Sequence, residues 1–190
     1  MTSPAEDYDS YLDAVLIGGR ESASVVIADH DATWPERFAQ LQRRVERALP
    51  TTALSVEHIG STSVPGLAAK PIIDMLLTVR SVDDEAAYVD ALEKVGFVLR
   101  VREPRHRMFR TPARDVHLHV YEPGGQAVAD YLDLRDWLRE SGSDRALYEA
   151  TKRELARREW SDMNHYADAK SDVVQVILRR ARAWRSGTGR

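Results

Sequence analysis

Apolar positions along the chain switch between two periods, and the switches mark out the elements. In "TWPERFAQLQRRVERAL", Phe38, Leu41, Val45 and Leu49 recur at helical spacing. Thr33 and Glu36 there form a capping-box pair, and Pro35 sits in the first turn, where its missing N–H costs nothing. "ALSVEHI" and "PIIDMLLTV" read as strands, and "SVVIADHD" as a shorter one. "SVDDEAAYVDALEKVGF" reads as one helix capped by Ser81 and ended at Gly96. Three strand-like pieces follow, "VLRVRE", "RHRMFRT" and "DVHLHVYE", punctuated by Pro104, Pro112 and "EPGG". Beyond Ala129 the pattern is helical throughout. "ADYLDLRDWLRE" comes first, then "DRALYEATKRELARREW" behind a Ser143 cap, then "ADAKSDVVQVILRRARAW", which runs into a frayed "RSGTGR".

Strands first with helices interspersed, then a helical end, predict an α+β fold: a mixed β-sheet packed with helices and a helical C-terminal half. Residues 1–20 are acidic and mixed, and read as a tail or a short docking helix. Residues 21–185 read as a single domain, with no internal repeat and no linker long enough to divide it.

Composition adds exclusions. The 190 residues, 43% hydrophobic and 30% charged, suffice for a buried core. With no Cys there is no disulfide framework, no thiolate chemistry and no cysteine zinc site. No apolar run approaches the roughly 18 residues of a membrane span, and nothing reads as a signal peptide, so the expected location is the cytoplasm. A net charge of −3 argues against bulk binding to nucleic acid.

Four features could carry chemistry. Gly60-Ser61 at a strand exit leaves backbone N–H groups free to face an anion. A phosphate-binding P-loop is not formed, since Leu67 rather than Lys follows Gly66. Asp74 is a lone carboxylate in an apolar strand, where alternation puts Ile72, Asp74 and Leu76 on one face. Burying it unpaired would cost several kcal/mol, so it either faces a cleft or has a structural partner. His117 and His119 share a strand face in the His-x-His arrangement common among metal ligands, with Glu57 and His58 as further candidates on a neighbouring strand. Arg100 and Arg102, and Arg105 and Arg107, suit either phosphate binding or a solvated sheet face.

Together "VEHIGSTSVPGLAAKPIIDMLL", "DATWPERF", "HLHV" and "YADAKSDVV" resemble the GrpB family over Val25 to Ala183. That family is similar to the nucleotidyltransferase superfamily, whose fold resembles the catalytic core of polymerase beta. The resemblance places a Gly-Ser turn at Gly60-Ser61 and the first metal-binding carboxylate at Asp74. It implies transfer of a nucleotidyl group from a nucleoside triphosphate to a small-molecule acceptor, with Mg2+ or Mn2+. Gly60, Ser61, Thr62, Ser63, Lys70, Arg107 and Lys170 are then the expected substrate-binding residues. Asp74, His117 and His119 are the expected catalytic residues, and Asp74, Glu57 and His119 the expected metal ligands. The chain departs from the superfamily at Leu76, where a second Asp is usual, and at His117 and His119, near where a third acid is expected. Either one ion is held by Asp74 with other groups, or the metal is not Mg2+, or the chemistry is lost. Because GrpB-like domains occur fused to dephospho-coenzyme A kinases, the resemblance also implies an alternative: a non-catalytic domain that stabilises or regulates such a kinase. A small metallohydrolase using the two histidines and Glu57 is a third reading.

Overall fold

The computed structural model describes residues 4–21, 25–160 and 162–187. The first three residues, Ser24 of the expected "SVVIADHD" strand and the last three residues of the expected frayed end lie outside them.

Five strands form one sheet: β1 (Ser55–Ile59), β2 (Ile73–Thr78), β3 (Val98–Glu103), β4 (His106–Arg110) and β5 (Val116–Tyr121). Their order is β1-β2-β5-β4-β3. The central pair β2 and β5 runs parallel, and every other pair is antiparallel. Seven α-helices accompany the sheet among the described residues.

Register decides what each face carries, because side chains alternate along a strand. Ile73, Met75 and Leu77 of β2 align with Val116, Leu118 and Val120 of β5. Phe109 of β4 joins them opposite Leu118. This face packs against α2 (Trp34–Ala48) and α3 (Val89–Lys94) in a core that takes in Trp34, Val45 and Leu92. The opposite face carries Asp74 beside His117 and Leu76 beside His119. A helical layer borders that side. α4 (Gln126–Glu140), α5 (Gly142–Leu155) and α7 (Ser171–Arg185) share a core of Leu138, Tyr148 and Ile177, which Val64 and Leu67 of the β1–β2 connection enter.

Several expected boundaries shift for visible reasons. Among its described residues "SVVIADHD" contributes a single bridge, Ala28 to Ala69, and Val25 packs instead with Leu155 and Tyr166. Thr33 does not cap α2 with its hydroxyl. Asp31 takes both the Thr33 N–H and the Thr33 hydroxyl, each at 2.8 Å. The single helix expected from Ser81 breaks into a 3-10 turn at Glu85–Ala87 and the short α3. Its first residues are held elsewhere: the Val82 N–H donates to Glu122 and Asp83 pairs with Arg107. Ser141, not Ser143, caps α5, its hydroxyl accepting from the Asp144 N–H at 3.3 Å. The last expected helix divides into α6 (Met163–Asp168) and α7, with Asp162 capping α6. At the N-terminus α1 (Pro4–Val15) lies against β3. Leu12 is buried, Leu16 bridges to Val101, and the Tyr11 hydroxyl donates to Glu103 at 2.5 Å.

Candidate functional site

β1 ends at Ile59, and the chain turns at Gly60 with φ of 69° before one 3-10 turn at Ser61–Ser63. A side chain at Gly60 would be strained by that φ and would place a Cβ 2.4 Å from Oδ2 of Asp74. The turn is tied down from within. The Ser63 hydroxyl donates to the Gly60 carbonyl at 2.6 Å, and the Thr62 hydroxyl donates to the Ile72 carbonyl at 3.1 Å. The Ser61 hydroxyl instead receives a hydrogen bond from the Lys152 ammonium at 3.0 Å.

Between this turn, the sheet face and helices α4 to α7 lies a cleft of about 460 Å³. Gly60, Ser61 and Thr62 line one side of it, and Asp74, His117 and His119 its floor. Lys70, Lys152 and Lys170 also line the cleft, which makes three of the chain's four lysines. Burial pushes Lys152 down to about 7 and Lys70 down to about 8, and the nearby Lys170 charge pushes both the same way. Burial lowers Lys170 as well. The Tyr166 ring lies under both Lys70 and Lys170, and its buried hydroxyl has no hydrogen-bond partner among the described residues.

Burial alone would raise the Asp74 carboxyl. The hydrogen bond from His117 and the surrounding positive charge outweigh it, so the group stays below its ordinary value and ionised. Asp74 Oδ1 lies 3.3 Å from His117 Nδ1. Burial pushes His119 down to about 3, so its imidazole is neutral at physiological pH.

The sequence expectations resolve unevenly. Asp74, His117, His119, Gly60, Ser61, Thr62, Lys70 and Lys170 all line the cleft. Ser63 does not: its hydroxyl is spent inside the turn and its carbonyl accepts from Arg139. Glu57 shares the face of Asp74 but sits in register with Leu76, one strand from His119, and pairs with Arg135 at 2.9 Å. Arg107 has the wrong parity. It pairs across the sheet with Val120 on the core face, where it binds Glu85 and Asp83 and the carbonyls of Glu103 and His106. The arginine rows dissolve too, because the register shifts between Leu99 and Val101. Arg100 donates to the carbonyls of Ile17 and Gly19, and Arg102 pairs with Glu85. Lys152 and Tyr166 were not expected. The scarcity of lysine in an arginine-rich chain is the signal that could have found Lys152.

Among the described residues Asp74, His117 and His119 each offer one ligand atom, all within 4.8 Å of one another. One carboxylate and two imidazoles do not fit a pair of Mg2+ ions, which ask for oxygen ligands. They do fit one divalent ion that accepts nitrogen and oxygen together, such as Mn2+. No helix among the described residues is long and apolar enough to cross a membrane.

A chain of the GLD-2/RNP-8 complex superposes with a TM-score of 0.50 at 15% identity, over 78% of this chain and 59% of that one, a likeness of fold alone. The crystal structure of the conserved protein GrpB from Enterococcus faecalis superposes with a TM-score of 0.73 at 29% identity, over 84% of this chain and 99% of that one. A UPF0157 protein of Streptomyces coelicolor is 54% identical over 170 residues, 90% of this chain and 91% of the relative. A dephospho-CoA kinase of Mycolicibacterium paratuberculosis is 28% identical over 196 residues, 88% of this chain but 48% of that protein. The sequence profile described as GrpB protein matches residues 24–180, and the chain belongs to that family.

Proposed function

We propose that the protein is a metal-dependent nucleotidyltransferase that moves a nucleotidyl group from a nucleoside triphosphate to a small-molecule acceptor. One observation carries the reading: the Gly60-Ser61 turn, the Asp74 carboxylate and three lysines open into the same cleft. Gly60 lets the backbone of the turn lie against Asp74, so the phosphate-binding and reacting ends of the site are adjacent. The Ser61 hydroxyl and the backbone of the Gly60-Ser61 turn hold the triphosphate tail. Lys152, already on the Ser61 hydroxyl, Lys70 and Lys170 supply its counter-charge. The unpartnered Tyr166 hydroxyl offers one more donor. An ion held by Asp74, His117 and His119 would neutralise charge on the phosphates and acidify the acceptor hydroxyl.

Isothermal titration of the four common nucleoside triphosphates, each with Mn2+ or Mg2+, tests the reading. Binding of at least one is expected, weakened at least tenfold by Lys152→Met. Silence from the folded wild-type protein with every triphosphate and both ions would overturn it. It would also favour the second reading, a non-catalytic domain that serves a dephospho-CoA kinase. That reading draws on the kinase relative, of which this chain matches only about half.

A further inference from the structure

Behind His119 runs a hydrogen-bonded chain that nucleotide binding does not require. Glu103 Oε2 lies 2.7 Å from His106 Nδ1, and His106 Nε2 lies 3.1 Å from His119 Nδ1. The Tyr11 hydroxyl of α1 fixes the other Glu103 oxygen. The His106 ring lies nearly parallel to that of His119, with ring centres 5.4 Å apart, and stacks on Tyr121 at 4.5 Å. The proton positions follow in order. An ionised carboxylate only accepts, so His106 carries its proton on Nδ1 and presents a bare Nε2. With His106 neutral, that nitrogen accepts from His119 Nδ1–H. His119 is then left with a bare Nε2, the form in which an imidazole binds a metal. A carboxylate behind a ligating histidine is the usual arrangement for holding the ring and raising its basicity. Here the carboxylate acts through an intervening imidazole. On the other side Leu76 is fully buried in the register position between Glu57 and His119, and among the described residues no second carboxylate reaches the floor.

We propose that Asp74, His117 and His119 form a resident site for a single first-row transition-metal ion, selective against Mg2+, with Glu103 and His106 as positioning residues behind His119. The ion binds without nucleotide. The site therefore stands or falls separately from the triphosphate reading.

Titration of the metal-free full-length protein with Co2+, followed by its visible absorption and without nucleotide, tests the proposal. One Co2+ per chain is expected, displaced by stoichiometric Zn2+ and retained in a thousandfold excess of Mg2+. Asp74→Asn and His119→Ala should each abolish the band. Glu103→Gln and His106→Phe should keep the stoichiometry, shift the band and weaken binding by about 10- to 100-fold. Circular dichroism of each metal-free variant confirms the fold. Equal competition by Mg2+, a band that survives in Asp74→Asn, or wild-type affinity and spectrum in both Glu103→Gln and His106→Phe would each overturn it. Co2+ binding with no triphosphate binding would sink the nucleotide reading alone, and the reverse outcome would sink the metal site alone.

Discussion

The two faces of the sheet are built from alternate residues of the same strands, yet they differ in kind. One presents Met75, Leu77, Leu118 and Phe109, fully buried under α2 and α3. The other presents Asp74, His117 and His119 to a cleft. A step of one residue along β5 moves from the centre of the core to the floor of the site. The strands can hold charged groups in place because the core face supplies the stability that the site face lacks. Substitutions on the two faces should therefore separate stability from binding.

The largest loss of stability is expected on the core face. Phe109→Ala empties a fully buried ring and should cost about 3–5 kcal/mol in urea denaturation. Ion binding per folded molecule should stay unchanged, and its loss would show that the faces are coupled. Gly60→Val comes next. A β-branched residue held at φ of 69° costs about 1–3 kcal/mol, and its Cβ meets Asp74. Triphosphate binding should vanish while circular dichroism still reports the helical half. Retained binding would place the tail elsewhere.

Lys152→Met tests the site face through pH. The folded value of Lys152 lies near 7, below its unfolded 10.5, so the unfolded chain holds more protons between those values. Its contribution to stability is therefore most unfavourable below about pH 7 and fades as pH rises toward 10.5. The advantage of the Met variant in urea melts should shrink from pH 6 to pH 9, and a constant difference would mean that the ammonium is not desolvated. The smallest shift is expected for Asp74→Asn, which should change stability by less than about 1 kcal/mol, because the pair with His117 is partly open to solvent. A large loss would instead mark Asp74 as a structural partner.

Much of this division was legible in the sequence. Strand alternation alone placed Asp74 opposite Ile73 and Met75, and His117 with His119, because period two leaves no freedom once a strand is assigned. The same rule misled for the arginines. A register shift in β3 breaks the alternation there, and the parity of Arg107 follows from its partner across the sheet rather than from its neighbours in sequence. Glu57 differs again. It shares the face of Asp74, but its distance from His119 depends on the β1-β2-β5 order, which no local pattern reveals. Lys152 sits on a helix 91 positions from its Ser61 partner, so only the packing of α5 against the turn brings the two together. Caps were the least legible, since Asp31 and Ser141 compete with equally suitable neighbours.

Three lysines share the lining of the cleft with one arginine, Arg135, and they would tie ligand binding there to the acidity of the medium. The guanidinium stays charged whatever surrounds it, whereas Lys152 near 7 and Lys70 near 8 exchange protons with water close to neutrality. A polyanion arriving between them would restore their charge, so each binding event would draw protons from solution. The heat released would then depend on which buffer surrenders those protons, and affinity would decline as the medium turns alkaline. On the proposed reading the cleft would be a proton-coupled receptor, its occupancy following pH even at a constant concentration of ligand.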